Sequence, residues 1–234
     1  MTDISLPRTQ TVSIIGAGLA GSEAAWQLAK RGIKVRLHEM RPNKMTPAHS
    51  SGKCAELVCS NTFRADHLEN AVGLLHEEMR QMDSLIMACG DKTRIPAGTA
   101  LAVDREQFSD LVTSTLKAEP LIEFVEGEVT EIPEDGLVLI ASGPLTSDAL
   151  YEQIKELTGE DRLCFFDAIA PVVDAESINM DVCYWKNRYD KNTEEGQQGD
   201  YLNCPMNKEQ YQAFVAELVK AEKVAFKGFE DIPF

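Results

Sequence analysis

The run Gly16-Ala-Gly-Leu-Ala-Gly21 carries glycine at its first, third and sixth positions, a spacing with which backbone can wrap a pyrophosphate. Gly16 permits the tight turn, Gly18 removes the side chain that would hold the chain off a phosphate, and Gly21 lets a helix pack closely on a strand. With Ala17, Leu19 and Ala20 between them, the phosphate ligands would be main-chain N–H groups and the positive end of a helix dipole. Glu39 lies 23 residues after Gly16, where an acid hydrogen-bonds ribose hydroxyls. A carboxylate there disfavours a 2′-phosphate, so FAD or NAD is expected rather than NADP. The alternative is a glycine-rich turn with no ligand. The strand, helix and acid around the motif weigh against it.

The second chemical feature is Cys54-Ala-Glu-Leu-Val-Cys59-Ser-Asn-Thr-Phe-Arg64. A thiolate at Cys59 would gain from a helix start and from a cation such as Arg64, both of which lower a thiol's pKa. Free cysteine is more often simply buried, and sequence chemistry alone favours a thiol packed beside Leu57 and Val58. The same packed reading applies to Cys54, Cys89, Cys164, Cys183 and Cys204. No two of the six cysteines have CxxC spacing, so neither a zinc ribbon nor a thioredoxin-like pair is suggested, and no metal is expected.

These residues need elements to position them. Thr11–Ile15 reads as a buried strand, Leu19–Arg31 as a helix closed by Gly32, and Lys34–His38 as a second strand, together a βαβ unit. Met40–Gly52, with Pro42, Pro47 and Gly52, must be a loop. Leu68, Val72, Leu75, Met79, Met82, Ile86 and Cys89 recur at steps of four and three and predict one long helix with a single apolar stripe. A helix from Asp104 carries Phe108, Leu111, Val112 and Leu116 on one face. Strands are expected at Leu121–Val125 and Leu137–Ala141, with Glu126–Ile132 a possible third. Thr146 or Ser147 caps a helix to about Leu157. Weak strands at Leu163–Phe166 and Ala170–Val173, a polar loop at Lys191–Gly199 and a helix at Lys208–Ala221 complete the chain. The small-residue turn Ser142-Gly143-Pro144 after a strand, together with the lack of a second G-x-G-x-x-G in the 234 residues, favours FAD over NAD, although the turn by itself reads better as a plain strand-to-helix turn. The fold class expected is α/β: a Rossmann-like FAD-binding domain of the two-dinucleotide-fold flavoprotein type over 10–145, and part of an inserted smaller α/β domain over 146–234.

The 234 residues suffice for one large domain or two modest ones. With no apolar run of ~18 residues and no basic-then-apolar start, no membrane association and a cytoplasmic location are expected. The net charge of −15 argues against broad nucleic-acid binding. The charge is uneven, however. Residues 1–64 hold nine Lys/Arg against four acids, leaving 14 against 34 for the remainder, so the two portions carry +5 and −20. Were RNA to bind, Arg41, Lys44, Lys53 and Arg64 would be the candidate phosphate contacts.

From Val12 onward the chain closely resembles the N-terminal half of the folate- and FAD-dependent tRNA (uracil-5-)-methyltransferases, the TrmFO family. The likeness rests on Ile15-Gly-Ala-Gly-Leu-Ala-Gly-Ser-Glu-Ala-Ala-Trp26, Glu39-Met-Arg-Pro42, Thr46-Pro-Ala-His49, Ala55-Glu-Leu-Val-Cys-Ser-Asn61, Pro96-Ala-Gly98, Leu101-Ala-Val-Asp-Arg105, Gly143-Pro-Leu-Thr146, Leu157-Thr-Gly-Glu160 and Tyr201-Leu-Asn-Cys-Pro-Met206. The resemblance implies C5 methylation of the T-loop uridine of tRNA. The one-carbon donor would be 5,10-methylenetetrahydrofolate, and FAD would be re-reduced by NADH or NADPH. It also implies that Cys59 is one of the family's two functional cysteines, the second lying in a Glu-Gly-Cys-type motif beyond Phe234. Family members run to nearly twice this length, so a piece of a longer chain is expected. Two other readings stay open: a generic FAD-dependent oxidoreductase on a small molecule, which the acidic balance suits, and a related flavoprotein that modifies a tRNA wobble uridine.

Overall fold

A computed structural model of the chain describes residues 11–159, 173–187 and 199–222. β1 (Val12–Ile15), α1 (Leu19–Lys30) and β2 (Val35–Glu39) form the expected βαβ unit, with β1 and β2 parallel and Val12 paired to Val35. The apolar residues of β1 and β2 put Ile14, Val35 and Leu37 almost wholly inside. Gly32, with φ of 77°, ends α1 in the left-handed conformation that a side chain would resist.

The chain then leaves the sheet for a long excursion: β3 (Thr62–Ala65), α2 (Ala71–Gln81), α3 (Leu85–Lys92), β4 (Arg94–Ile95), β5 (Ala100–Val103) and α4 (Arg105–Ala118). It returns as β6 (Ile122–Glu126) beside β2 and as β7 (Leu137–Ile140) on the far side of β1. The result is a four-stranded parallel sheet in the order β6-β2-β1-β7. Against it pack Ala25 and Ala29 of α1, the Leu85–Met87 turn and Cys89 of α3, and Phe108, Val112 and Leu116 of α4. The face expected for α4 is therefore the buried one, and Asp104 caps the helix through Gln107 N–H at 3.0 Å.

Three expectations need correction. The single helix with one stripe is two helices, and Leu68, Leu75 and Met82 are 62%, 52% and 60% exposed. The break is set by the corner between them, where Asp83 has φ of 56° and Ser84 Oγ accepts from Met87 N–H at 3.2 Å. Helix α1 holds this corner. Trp26 Nε1 donates to the Asp83 carbonyl at 3.0 Å, Lys30 pairs with the Asp83 carboxylate at 2.7 Å, and Glu23 accepts from Ser84 Oγ at 2.8 Å and Ile86 N–H at 3.0 Å. Periodicity saw the apolar spacing but not the cap that interrupts it. Second, residues 127–132 form no strand. Third, an antiparallel sheet, β3-β5-β4, lies within the excursion where no strands were expected. Its strands of two to four residues are too short for alternation to stand out.

Beyond β7 a short turn at Gly143–Leu145 leads to α5 (Asp148–Thr158), begun at Ser147 as expected. A two-stranded ribbon, β8 (Tyr184–Trp185) with β9 (Leu202–Asn203), and α6 (Lys208–Lys220) follow. The strands expected at Leu163–Phe166 and Ala170–Val173, the Lys191–Gly199 loop and Cys164 lie outside the described residues, apart from Val173 and Gly199. Among the described residues no helix is long and apolar enough to cross a membrane.

The approach of α1 to the sheet gives a paired test. A Cβ on Gly21 would sit 1.8 Å from the Gly16 carbonyl oxygen, whereas one on Gly90 would meet only Leu101 Cδ2 at 3.7 Å and Val103 Cγ1 at 3.9 Å. Gly21→Ala should therefore cost about 3 kcal/mol by overpacking against backbone, and Gly90→Ala should gain up to about 1 kcal/mol of helix propensity. Urea unfolding of both variants checks this. Equal effects would contradict the packing described.

Candidate functional site

All four strands of the parallel sheet end at one cleft. Its walls are Ile15, Gly16 and Gly18–Ala20 after β1, His38–Arg41 after β2, Gly127–Val129 after β6, and Ala141–Ser147 after β7. The strand order reverses at β1, with β2 on one side and β7 on the other. Crevices outside the carboxyl ends of strands at such a reversal are where open α/β sheets bind ligands. The turn at Gly16 meets the Ser142 turn closely: a Gly16 Cβ would lie 2.7 Å from Ser142 Cα and 2.8 Å from the Ala141 oxygen, and φ at Gly16 is 102°. At Gly18 the position of a Cβ is open, with no atom within 4 Å. Gly18 is the N-cap of α1, and no side chain caps that helix. Helices α2, α3, α4 and α6 each have a side-chain cap, while α5 begins at Ser147 without one, as α1 does at Gly18. The first N–H groups of α1 thus face the cleft without a side chain to satisfy them.

Glu39 sits at the end of β2 as expected, but its carboxylate is already engaged. Oε2 accepts from Ala17 N–H at 3.0 Å and Arg41 Nη2 at 3.1 Å, and Oε1 from Arg41 N–H at 3.0 Å and Arg41 Nε at 2.9 Å. Four donors fill the roughly four lone-pair sites of a carboxylate. A ribose hydroxyl would have to displace one of them.

Arg41, 3% exposed, extends the chain of charges. Its Nη1 donates to Glu56 Oε2 at 3.2 Å and to the Ser51 carbonyl at 3.3 Å. Glu56 accepts in addition from Ser50 N–H and Oγ, both at 2.8 Å, and from Ser51 N–H at 3.1 Å and Oγ at 2.7 Å. One step along the chain, Ala55 N–H donates to the Ala17 carbonyl at 2.8 Å. The cysteine-bearing segment is thereby fastened to the glycine turn. The backbone of Ala55 (φ 52°) is left-handed to make this contact. Arg41 is buried in this network and is not available to an RNA phosphate, contrary to the expectation from charge alone. Lys44 pairs with Glu128 and Lys53 with Asp110, each at 2.8 Å, while Arg64 is exposed on β3.

Cys59 is exposed, three residues before β3 begins at Thr62, and next to Val58, which lines the cleft. The helix start and cation expected beside it are different ones. Arg64 lies within β3, which separates Cys59 from α2 in the chain. The cation that reaches it is Arg105, first residue of α4, whose Nη2 donates to the Cys59 carbonyl at 3.0 Å. Asn61 ties the same segment to the β5–α4 junction, its Nδ2 donating to the Val103 carbonyl at 3.1 Å and its carbonyl accepting from Val103 N–H at 2.9 Å. Cys54 and Cys89 are buried as expected, and burial pushes both thiols up to about 11. Cys183 and Cys204 are not buried.

Two cleft residues escaped the sequence reading: His49, which stands in the Thr46–His49 motif, and His38, read only as the last residue of a strand. His49 Nδ1 lies 2.6 Å from Thr46 Oγ1. Burial first, and Arg41 second, hold its pKa below the ordinary value. His38 Nε2 is a buried nitrogen with no hydrogen-bond partner, also on the cleft wall. Its pKa is lowered by burial and then by Arg36. Among the described residues no group of three or more His, Cys, Asp or Glu is placed to hold a metal ion.

The network has a definite acid response. Burial alone would raise the Glu39 and Glu56 carboxyls, but the hydrogen bonds from Arg41, and from Ser50 and Ser51, outweigh it and hold both below the ordinary 4.5. For such groups stability is fully present above the unfolded pKa and is lost as pH falls through the folded one. His38 and His49, lowered from 6.5, act in the same direction at higher pH. Unfolding free energy should therefore fall gently below pH ~6.5 and more steeply below pH ~4.5. Glu56→Gln should flatten the lower step, and by removing a charge that raises the His49 pKa it should keep or deepen the upper one; an unchanged lower step would remove Glu56 from the linkage.

The comparisons with known proteins bear on the same residues. A family model described as glucose inhibited division protein A matches residues 11–233. The methylenetetrahydrofolate–tRNA-(uracil-5-)-methyltransferase TrmFO of Lactobacillus helveticus is 60% identical over 221 residues, covering 94% of this chain and 53% of that protein. The protein of the same name from Lactobacillus johnsonii is 60% identical over 222 residues, covering 95% of this chain and 50% of its own. The chain spans about half the length of the curated relatives it matches. Among solved structures, Aquifex aeolicus GidA is similar at a TM-score of 0.43 and 17% identity, over 54% of this chain and 21% of that one. Since the family match takes in the glycine turn, the Glu39–Arg41–Glu56 network and the Cys59 segment together, the chain belongs to the glucose inhibited division protein A family.

Proposed function

We propose that this chain supplies the FAD-binding turn and one reactive thiol of a folate-dependent tRNA (uracil-5-)-methyltransferase, the activity named for its relatives at 60% identity. The observation that carries this reading is the hydrogen bond from Ala55 N–H to the Ala17 carbonyl, which fastens the Cys59 segment to the dinucleotide turn. A separate loop would not need that tie. The residues fit FAD: the open space at Gly18, the uncapped start of α1 and the unpartnered His38 Nε2 are all on the cleft wall.

In this reading the N–H groups at Gly18–Ala20 bind the pyrophosphate with the helix dipole behind them. Glu39 exchanges one of its Arg41 donors for a ribose hydroxyl, and Arg41 stays held by Glu56. The flavin, when bound and reduced by NADH or NADPH, supplies the electrons that turn a one-carbon unit from 5,10-methylenetetrahydrofolate into a methyl group. C5 of uracil is a poor nucleophile until C6 is attacked or C5 loses its proton, and the Cys59 thiolate serves one of these two steps. Residues 10–145 make up the FAD-binding domain and 146–234 part of the inserted one, the boundary falling at the Gly143–Leu145 turn. An acidic surface with a net charge of −15 favours one competing reading, a flavin oxidoreductase acting on a small molecule.

The test uses the natural protein that carries this sequence, a tRNA transcript and folate labelled in the transferred carbon. Cys59→Ala should lower label transfer to the T-loop uridine by at least ~100-fold while flavin stays bound, since removing a covalent or proton-transferring group costs on that order. Gly18→Val should release the flavin, because its side chain takes the space the pyrophosphate needs. Transfer within twofold of normal in Cys59→Ala would return Cys59 to a structural role. Flavin bound with unchanged affinity in Gly18→Val would overturn the pyrophosphate placement. No label in the wild type's tRNA, with flavin bound, would favour the small-molecule reading.

A further inference from the structure

Cys183 and Cys204 lie far along the chain from the cleft residues, and the function proposed above gives them no part. Their placement is set by the β8–β9 ribbon. Tyr184 pairs with Asn203 and Trp185 with Leu202, so the register continued by one residue sets Cys183 opposite Cys204. Lys186 N–H donates to the Tyr201 carbonyl at 2.9 Å, which makes 186 and 201 a hydrogen-bonded pair. Alternation along an antiparallel ladder then makes 184 and 203 hydrogen-bonded and 183 and 204 non-hydrogen-bonded. At non-hydrogen-bonded positions the Cα atoms approach to ~4.5 Å, inside the span of ~4.4–6.8 Å that a disulfide bridges without moving backbone. The two sulfurs stand 3.3 Å apart.

The ribbon is held so that this approach persists. Tyr201 Oη donates to the Ala97 carbonyl at 2.5 Å, Asp200 accepts from Gly98 N–H, and Asn187 Oδ1 accepts from Asp200 N–H at 2.8 Å. Asn203 Nδ2 closes the ribbon on the Lys186 and Tyr201 carbonyls, both at 3.0 Å. Reagents have access as well: Cys204 is exposed and Cys183 partly so, whereas Cys54 and Cys89 are buried.

We propose that Cys183 and Cys204 form a dithiol–disulfide site that exchanges with small disulfides of the glutathione type. The exposed Cys204, as thiolate, attacks one sulfur of the small disulfide. That S–S bond breaks, a mixed disulfide forms on Cys204, and one small thiolate leaves and takes up the proton. Cys183 then loses its proton and attacks the Cys204 sulfur, the Cys183–Cys204 bond forms, and the second small thiol departs. Two electrons pass from the two cysteine sulfurs to the small disulfide, which becomes two thiols. The hydrogen bond to Cys204 first, with burial second, holds the Cys183 thiol above its ordinary pKa, and modification of Cys204 in the first step removes that hydrogen bond before Cys183 attacks. The closed form staples the ribbon across residues 184–203, next to the Ala97–Gly98 turn on which it docks.

The purified protein is equilibrated across a series of reduced-to-oxidised glutathione ratios, quenched in acid, alkylated and mapped by mass spectrometry. The expected result is one cross-linked peptide pair joining Cys183 to Cys204, lighter than the two free peptides by two hydrogens, or about 2 Da. It should appear in a single two-electron transition, while Cys54 and Cys89 remain alkylatable after unfolding. Cys183→Ser should leave Cys204 carrying glutathione at least tenfold more than in the wild type, because the resolving thiol is gone. The proposal is overturned if wild-type Cys183 and Cys204 stay alkylatable at every ratio. It is equally overturned if they accumulate glutathione without cross-linking, or if either joins Cys164 instead. The wild-type map decides these outcomes even if the serine variant fails to fold.

Discussion

The peptide group at Ala17 is the point from which the rest of the site is positioned. Its N–H is held by Glu39 at the end of β2, and its carbonyl takes Ser22 Oγ at 3.0 Å and Ala55 N–H at 2.8 Å. One buried backbone unit thus fixes the glycine turn, the first turn of α1 and the segment that carries Cys59. Behind it Arg41 lies between two carboxylates, Glu39 at 2.9 Å and Glu56 at 3.2 Å, all three largely buried. Breaking such an arrangement on one side leaves an uncompensated buried charge, typically at a cost of about 3–5 kcal/mol. That cost holds the Glu39 and Glu56 segments together on Arg41.

The parallel sheet turns this local tie into a cleft. Four strands running in one direction deliver four loops to one edge, and those loops line the cleft at the point where the strand order reverses. The antiparallel sheet and α4 then brace the Cys59 segment from its other end through Asn61 and Arg105. Cys59 is held at two ends: by the glycine turn before it and by the β5–α4 junction after it. The first tie aims the segment and the second keeps it from swinging away.

The parts of this arrangement that follow local periodicity could be read in the sequence. The βαβ unit, Gly32 at the end of α1, the buried face of α4 and the turn before α5 all depend on residues within a few positions of one another. Glu39 was legible in position but not in its bonds, because Arg41, only two residues away, claims the carboxylate in a geometry that a linear pattern does not show. The corner at Asp83 was hidden because its cause lies 53 to 63 residues away on α1, in Lys30 and Glu23. The Cys183–Cys204 pairing was likewise invisible at a separation of 21 residues in a ribbon of two-residue strands. The contact at Glu39 is local and those at Asp83 and Cys183 are distant, but all are polar, and apolar periodicity reports none of them.

Amide exchange at Ala17 and Ala55, followed by NMR in the wild type and in Arg41→Met, tests most directly whether the buried charges hold the two loops together. Methionine keeps much of the arginine volume and removes the cation, so Glu39 and Glu56 lose their shared partner. If the account is right, protection at Ala17 and Ala55 falls together, by at least tenfold, while the β1 and β2 amides at the centre of the sheet keep theirs. Full protection retained at Ala55 would contradict it and would mean that the Ala55–Ala17 tie stands without the buried charges.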